Sequence, residues 1–218
     1  MSDLLSEQKR YYAARAPEYD DWWYRRGRYA LEPDALARWQ ADAAEVNAAL
    51  EAFALRGRVL DLAAGTGIWT RKLVRMAEHV VAVDANAEVL SLNTPEAELV
   101  RADIFDWKPP EQFDVVFFGF WLSHVPEERF EEFWRTVRAA LAPGGRIFLV
   151  DNASGGESTH GRRSGEETET RTLADGREFE IVKRRRTSEE LRARVAPLGF
   201  VLDLRLTSNG NFLYGFGS

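Results

Sequence analysis

Five short apolar runs separated by stretches of helical spacing set the tightest limit on how this chain can fold. The runs are 58–62 (Arg58-Val59-Leu60-Asp61-Leu62), 79–84, 99–102, 113–118 and 146–150. They are apolar on both faces, as strands are when a parallel sheet is covered by helices on either side. Alternation of such runs with helices is the signature of successive βαβ units. A length of 218 residues suits one domain.

The helices are legible from spacing. Leu36, Trp39, Val46, Leu50 and Phe53 recur at helical intervals, which predicts a helix over 33–54 with one apolar stripe toward the sheet. Phe130, Phe133, Trp134, Val137 and Leu141 predict another, opened by Pro126, with Glu127 and Glu128 in its first turn and Arg135 and Arg138 toward its end. Pro143-Gly144-Gly145 terminates it. A third starts at Thr187, which has capping-box spacing to Glu190, and stops at Gly199. Beyond it, 200–206 and 212–216 read as two strands joined by an Asn-Gly turn at Ser208-Asn209-Gly210-Asn211.

Two segments stand outside this alternation. Residues 1–32 carry Tyr11, Tyr12, Tyr19, Trp22, Trp23, Tyr24 and Tyr29, a density that predicts a helical cap, with packing onto the core as the plainer explanation. Residues 152–170 are polar and rich in Gly and Ser, suiting either a flap over a site or a surface insertion. The expected organisation is therefore one domain: a cap over 1–32, a ligand-binding core over 33–151, a flexible loop over 152–170, and a strand, helix and hairpin over 171–218 that complete the sheet.

Composition narrows the function. The absence of Cys removes disulfides, thiolate catalysis and thiolate metal ligation. A formal net charge of −6 argues against nucleic acid as a partner. The local run Lys183-Arg184-Arg185-Arg186 reads as a solvated strand edge or turn in preference to a binding patch. No stretch has the length and apolarity of a membrane span, and the start of the sequence lacks a basic-then-apolar leader pattern, so a cytoplasmic protein is expected. Seven Trp exceed what such a core needs, so some of the rings should line a pocket.

The residues that carry chemistry sit at strand ends. Asp61-Leu62-Ala63-Ala64-Gly65-Thr66-Gly67 lies where the first strand turns into a helix, and its glycines let a ligand approach the main chain. Asp84 closes the second strand, nineteen positions after Gly65, where a carboxylate can accept hydrogen bonds from both hydroxyls of a ribose. Asp103 follows the third strand, beside Ile104, where a carboxylate and an adjacent amide can read an adenine edge. Carboxylates at neighbouring ends of a parallel sheet face one crevice, and together these describe a nucleoside-shaped slot. The plainer readings are that Asp61 shapes its own turn and that Asp84 caps a helix beginning at Asn86.

Over roughly 55–150 these segments resemble the class I S-adenosylmethionine-dependent methyltransferases, and the topology resembles theirs to the C-terminus. The stretch 61–67 is similar to the family's first motif, Asp84 to its ribose-binding acid, Asp103-Ile104 to its adenine-binding step, 113–116 to its fourth strand and 141–145 to the turn before its fifth. The resemblance implies an α/β, Rossmann-like, doubly wound sheet of seven strands with the last antiparallel and helices on both faces. It implies S-adenosylmethionine as cofactor, no metal, and a small-molecule acceptor. The cofactor residues it suggests are Asp61, Ala63, Gly65, Thr66, Gly67, Asp84, Ala85, Asp103, Ile104 and Phe120, joined by Tyr11 and Tyr19 from an N-terminal piece, 11–20, similar to that of many small-molecule methyltransferases. Trp22, Trp23 and Trp121 are the candidates for the acceptor pocket, and the abundance of rings favours an apolar or aromatic acceptor. His124, just past the fourth strand, is the candidate general base, with packing beside the cofactor as its alternative role.

Other classes fit less well. A nicotinamide dehydrogenase would share the Gly-x-Gly turn and Asp84, but Thr70 stands where its third glycine belongs. A nucleic-acid methyltransferase would carry an Asn/Asp-Pro-Pro-aromatic step where this chain has Gly119-Phe120-Trp121. A module that binds the cofactor without catalysis is the remaining alternative.

Overall fold

The computed structural model describes residues 2–154, 161–163 and 167–218, with side chains described for all of these except 2 and 161–163. The apolar runs form parallel strands β1 (Arg58–Leu62), β2 (His79–Asp84), β3 (Glu98–Arg101), β4 (Phe113–Gly119) and β5 (Leu141–Asn152). The C-terminal pair β9 (Leu202–Leu206) and β10 (Phe212–Gly217) completes a seven-stranded sheet of order β3-β2-β1-β4-β5-β10-β9. As expected, the last strand of the chain is the reversed one: β10 runs antiparallel to both β5 and β9. Strand order reverses between β1 and β4, so the crevice beyond their carboxyl ends is where an open parallel sheet places a ligand.

Alternate residues of the strands feed two cores. Leu60, Leu62, Val116 and Phe118 pack with Phe133, Trp134 and Val137 of α6 (Phe130–Ala140) and Leu191 of α7 (Ser188–Val195). Val59, Val115 and Phe117 pack on the opposite face with Trp39, Val46 and Leu50 of α3 (Pro33–Ala52) and Leu73 of the one-turn α4 (Thr70–Leu73); a second one-turn helix, α5 (Ala87–Leu90), follows β2. The period-2 strand pattern and the 3.6-residue helix pattern thus meet on each face.

Local differences from the sequence reading have physical causes. Pro126 precedes a 3₁₀ turn at 127–129, and α6 proper starts at Phe130. Residues 141–145 do not simply end that helix. Leu141 already pairs with Phe113, and regular register resumes at Val115 with Arg146, which leaves 142–145 as an irregularity inside β5. At α7 the Thr187 hydroxyl accepts from the Glu190 backbone N–H at 3.1 Å, and Glu190 accepts in return from the Thr187 N–H at 2.8 Å. Thr187→Ala should lower stability by about 1 kcal/mol, read as a drop in Tm of about 2–4 °C.

The second half of the chain contains a feature absent from the sequence reading: β6 (Gly161–Arg163), β7 (Thr168–Thr172) and β8 (Glu178–Val182) form a separate antiparallel sheet. Part of 152–170 is therefore strand where a loop was expected; the expected flap or insertion otherwise falls on 155–160 and 164–166, outside the described residues. The N-terminal cap consists of α1 (Ser2–Arg15), a 3₁₀ turn and α2 (Tyr19–Tyr24). Helix α1 is fastened to β8, because the Gln8 side-chain oxygen accepts from the Val182 N–H at 3.0 Å and the Gln8 amide donates to the His124 carbonyl at 3.3 Å. Among the described residues, no helix is long and apolar enough to cross a membrane.

Candidate active site

The turn after β1 is held from beneath. The Asp61 carboxylate, fully buried, accepts from the Thr70 hydroxyl at 2.6 Å, and the Asn93 amide donates both to Thr70 Oγ1 at 3.2 Å and to the Gly65 carbonyl at 3.1 Å. Burial pushes Asp61 up to about 7. The chain turns through Ala63, Gly65 and Gly67, all at positive φ (56°, 57° and 87°). A Cβ added at Gly65 would meet only the Ala63 carbonyl, at 4.0 Å, so the backbone there stands open to a ligand. At Gly67 an added Cβ would lie 2.1 Å from Asn93 Oδ1, so Gly67→Ala should disrupt the turn and weaken cofactor binding, measured by calorimetry with S-adenosylhomocysteine.

Asp84 accepts on one oxygen from the Gly65 N–H at 3.0 Å and on the other from the Asn86 N–H at 2.9 Å. Burial raises its pKa, and those amide donors hold it down in part. Asp103 accepts from the Phe105 N–H at 3.1 Å and forms an ion pair with Lys9 of α1, so the cap closes against this carboxylate. With Ala63, Gly65, Ala85, Ile104 and Trp121 these residues line one chamber. Asp61 and Thr66 line a smaller recess off it beside Tyr19. Phe120, at φ +56°, ends β4 in a conformation unfavourable for a bulky side chain, and its N–H donates to the Val150 carbonyl at 2.7 Å.

A second chamber of about 250 Å³ adjoins the first. Tyr12, Tyr19, Phe120 and His124 line both and so form a common wall. His124 is buried and lies between two partners: its Nδ1 faces the Val182 carbonyl at 2.7 Å, and its Nε2 faces the Tyr12 hydroxyl at 2.8 Å. The carbonyl can only accept, so Nδ1 carries the hydrogen and Nε2 accepts from Tyr12. Burial, reinforced by the nearby Lys183 charge, holds the His124 pKa well below its usual value and keeps the ring neutral. Desolvation raises Tyr19 to about 12, and burial holds Tyr12 well above its usual value.

The lining of the second chamber corrects two readings. The run Lys183–Arg186 is not a solvated edge. Lys183 and Arg186 are each 7% exposed, Lys183 and Arg185 line the chamber, and Arg186 is paired with Glu127. Lys183 donates to Ser123 Oγ at 2.7 Å, which in turn donates to Asp151 at 2.8 Å, and burial lowers Lys183 to about 7. The second correction concerns the rings. Trp22 lines this chamber, but Trp121 lines the first one, and Trp23 is buried in the core against Trp39, Trp69 and Phe120.

Tyr11 also lies away from the first chamber. It is buried against Leu173, Ile181 and Phe179 of the second sheet, and its neighbour Tyr12 takes the place facing the crevice. Gly67 shapes the turn without lining either chamber. Sequence reasoning missed Tyr12, Arg15, Arg25, Arg171 and Asn93; only the run at 183–186 gave a signal for the cationic lining, and its burial depends on β8, which the sequence reading did not contain.

A doubly wound sheet with a carboxylate-and-glycine crevice at its switch point defines a Rossmann-like nucleoside-binding protein. Residues 59–145 match the family model described as a methyltransferase domain. A solved structure described as the DhpI-SAM-HEP complex is 37% identical over 99% of this chain and 97% of its own, with a TM-score of 0.83. The DhpI-SAH complex is also 37% identical, with a TM-score of 0.82. Among curated proteins, the demethylmenaquinone methyltransferase of Clavibacter sepedonicus is 35% identical over 103 residues, 43% of this chain and 40% of that protein. The chain thus matches about two fifths of the length of such curated relatives. It belongs to the class I S-adenosylmethionine-dependent methyltransferases.

Proposed function

We propose that the protein transfers the methyl group of S-adenosylmethionine to a small molecule held in the second chamber. The observation that carries this is the common wall: Tyr12, Tyr19, Phe120 and His124 face both the nucleoside slot and the adjoining chamber. A donor in one and an acceptor in the other would meet there.

Fit to the donor rests on residues of this chain. Each Asp84 oxygen takes one backbone N–H and keeps further acceptor capacity for a ribose hydroxyl. Asp103 and Ile104 would hold the adenine, and the open backbone at Gly65 would pass the methionine end. When bound, the donor supplies an already electrophilic methyl group, so the protein's tasks are alignment and exclusion of water. The N-terminal cap serves the second task, since Lys9, Tyr12 and Tyr19 close over the slot. His124 is assigned as a positioning residue that fixes the Tyr12 hydroxyl at the wall, in place of the general base expected from sequence. The chamber's polar lining favours a polar acceptor over the apolar or aromatic one expected from ring count.

Calorimetry with S-adenosylhomocysteine, followed by detection of its release from S-adenosylmethionine across an acceptor panel, tests this reading. Binding and acceptor-dependent release are expected. Binding with no turnover of any acceptor would identify a non-catalytic module, and binding of NADH alone would identify a dehydrogenase.

A further inference from the structure

The second chamber is cationic to a degree that the methyl-transfer reading does not require. Arg15, Arg25, Arg38, Arg171, Lys183 and Arg185 line it, and among the described residues no carboxylate does. They arrive from separate parts of the chain: the end of α1, the end of α2, α3, β7 and the segment after β8. Three of them are more than nine-tenths buried: Arg15 is 6% exposed, Arg25 8% and Lys183 7%.

Compensation by the protein is incomplete. Arg171 and Arg185 share one carboxylate, Glu169, at 2.8 and 2.7 Å. Lys183 stands 4.0 Å from Asp151. Arg15 lies over the rings of Tyr11, Tyr19 and Tyr29, with its buried Nε unpartnered among the described residues. Arg25 stacks 3.3 Å from the centroid of Trp39, with both Nε and one terminal nitrogen unpartnered there. Burying guanidinium groups without anions is costly, and the cost is recovered when an anion enters. The protein as a whole is acidic, with a net charge of −6, so this concentration of positive charge is local to the chamber.

Resting on the methyl-transfer reading, we propose that the chamber binds a small molecule bearing a tetrahedral phosphoryl dianion, a phosphonate or a phosphate monoester, and that one of its oxygens accepts the methyl group. A single planar carboxylate is satisfied by one guanidinium fork. Cations converging from several directions instead suit a group with three acceptor oxygens and close to two negative charges.

The step balances without a base. An oxygen–carbon bond forms as the sulfur–carbon bond of the donor breaks, and its electron pair stays on sulfur. The acceptor loses one negative charge, the sulfonium loses its positive charge, and no proton moves. A neutral His124 held between Val182 and Tyr12 fits a reaction that asks no proton of it.

The test titrates protein loaded with S-adenosylhomocysteine with methylphosphonate, methyl phosphate, malonate and phenol near neutral pH. Each compound is then incubated with S-adenosylmethionine, and products are identified by mass spectrometry. Methylphosphonate, methyl phosphate or both should bind and gain one methyl group. Arg171→Gln should weaken that binding by about tenfold or more while leaving S-adenosylhomocysteine affinity in place. Arg25→Gln serves the same purpose if the first variant fails to fold.

Malonate bound and methylated in preference to both phosphoryl compounds would overturn the phosphoryl assignment. Phenol as the methylated compound, or no anion bound by protein that does bind S-adenosylhomocysteine, would overturn the anionic acceptor and leave methyl transfer standing. Loss of S-adenosylhomocysteine binding itself would remove both.

Discussion

Replacing Asp42 by Ala should cost about 3 kcal/mol of stability, because it removes a buried charged acceptor shared by five donors, among them the buried Thr207 hydroxyl. Asp42 lies in the middle of α3 with no exposed surface. Its carboxylate accepts five hydrogen bonds from the turn between β9 and β10: from the Thr207 hydroxyl at 2.8 Å, from the Asn209 N–H and side-chain amide at 2.9 Å each, and from the Asn211 N–H and side-chain amide at 3.0 and 2.8 Å. One side chain therefore ties the covering helix to the reversed strand that completes the sheet. A fall in Tm of about 6–12 °C is expected for Asp42→Ala in a chain of this size. A loss below about 2 °C would mean that water replaces the carboxylate at no cost.

The same residue gives a pH dependence with a definite sign. Burial raises the Asp42 pKa, but the hydrogen bonds from Asn211, Asn209 and Thr207 outweigh it and leave the folded value depressed. A depressed carboxylate contributes stability that is fully present above its unfolded pKa of about 4 and is lost as the pH falls through the folded value. The difference in Tm between the parent and Asp42→Ala should therefore be constant near neutrality and shrink below about pH 4.

Replacing Asp84 by Ala should weaken S-adenosylhomocysteine binding by about 1–3 kcal/mol, a factor of roughly 5–150. Two losses combine. The proposed ribose contact would lose its charged acceptor, and the Gly65 N–H loses the bond that fixes the turn. Asp84→Asn keeps one acceptor oxygen on the side chain and should fall between parent and Ala. An unchanged dissociation constant for Asp84→Ala in folded protein would remove Asp84 from the site.

What could be read from the sequence follows from how locally each feature is encoded. Strands β1 to β5 announce themselves by apolar runs such as 79–84, and α3 by the apolar stripe from Trp39 to Leu50, because each pattern is carried by the element's own residues. The placement of Asp84 and Asp103 on one crevice is legible because a strand end is a local event and parallel strands bring their ends together. The second sheet is not: β7 alternates Thr168, Glu169, Thr170 and Arg171, with no apolar face to mark it, and is defined by its pairing with β8. The burial of Lys183 depends in turn on that sheet. Asp42 looks from sequence like one more polar residue on a helix, since its partners lie more than 160 positions away. Backbone strain at Ala63 and Phe120 leaves no trace in residue type at all.

The most direct test of the account is the structure of the protein with S-adenosylhomocysteine bound. The ribose is expected on Asp84, the adenine by Asp103, and the sulfur at the wall of Tyr12, Tyr19, Phe120 and His124, facing the chamber of Arg171 and Lys183. A sulfur turned away from that chamber, or a nucleoside seated elsewhere, would contradict it.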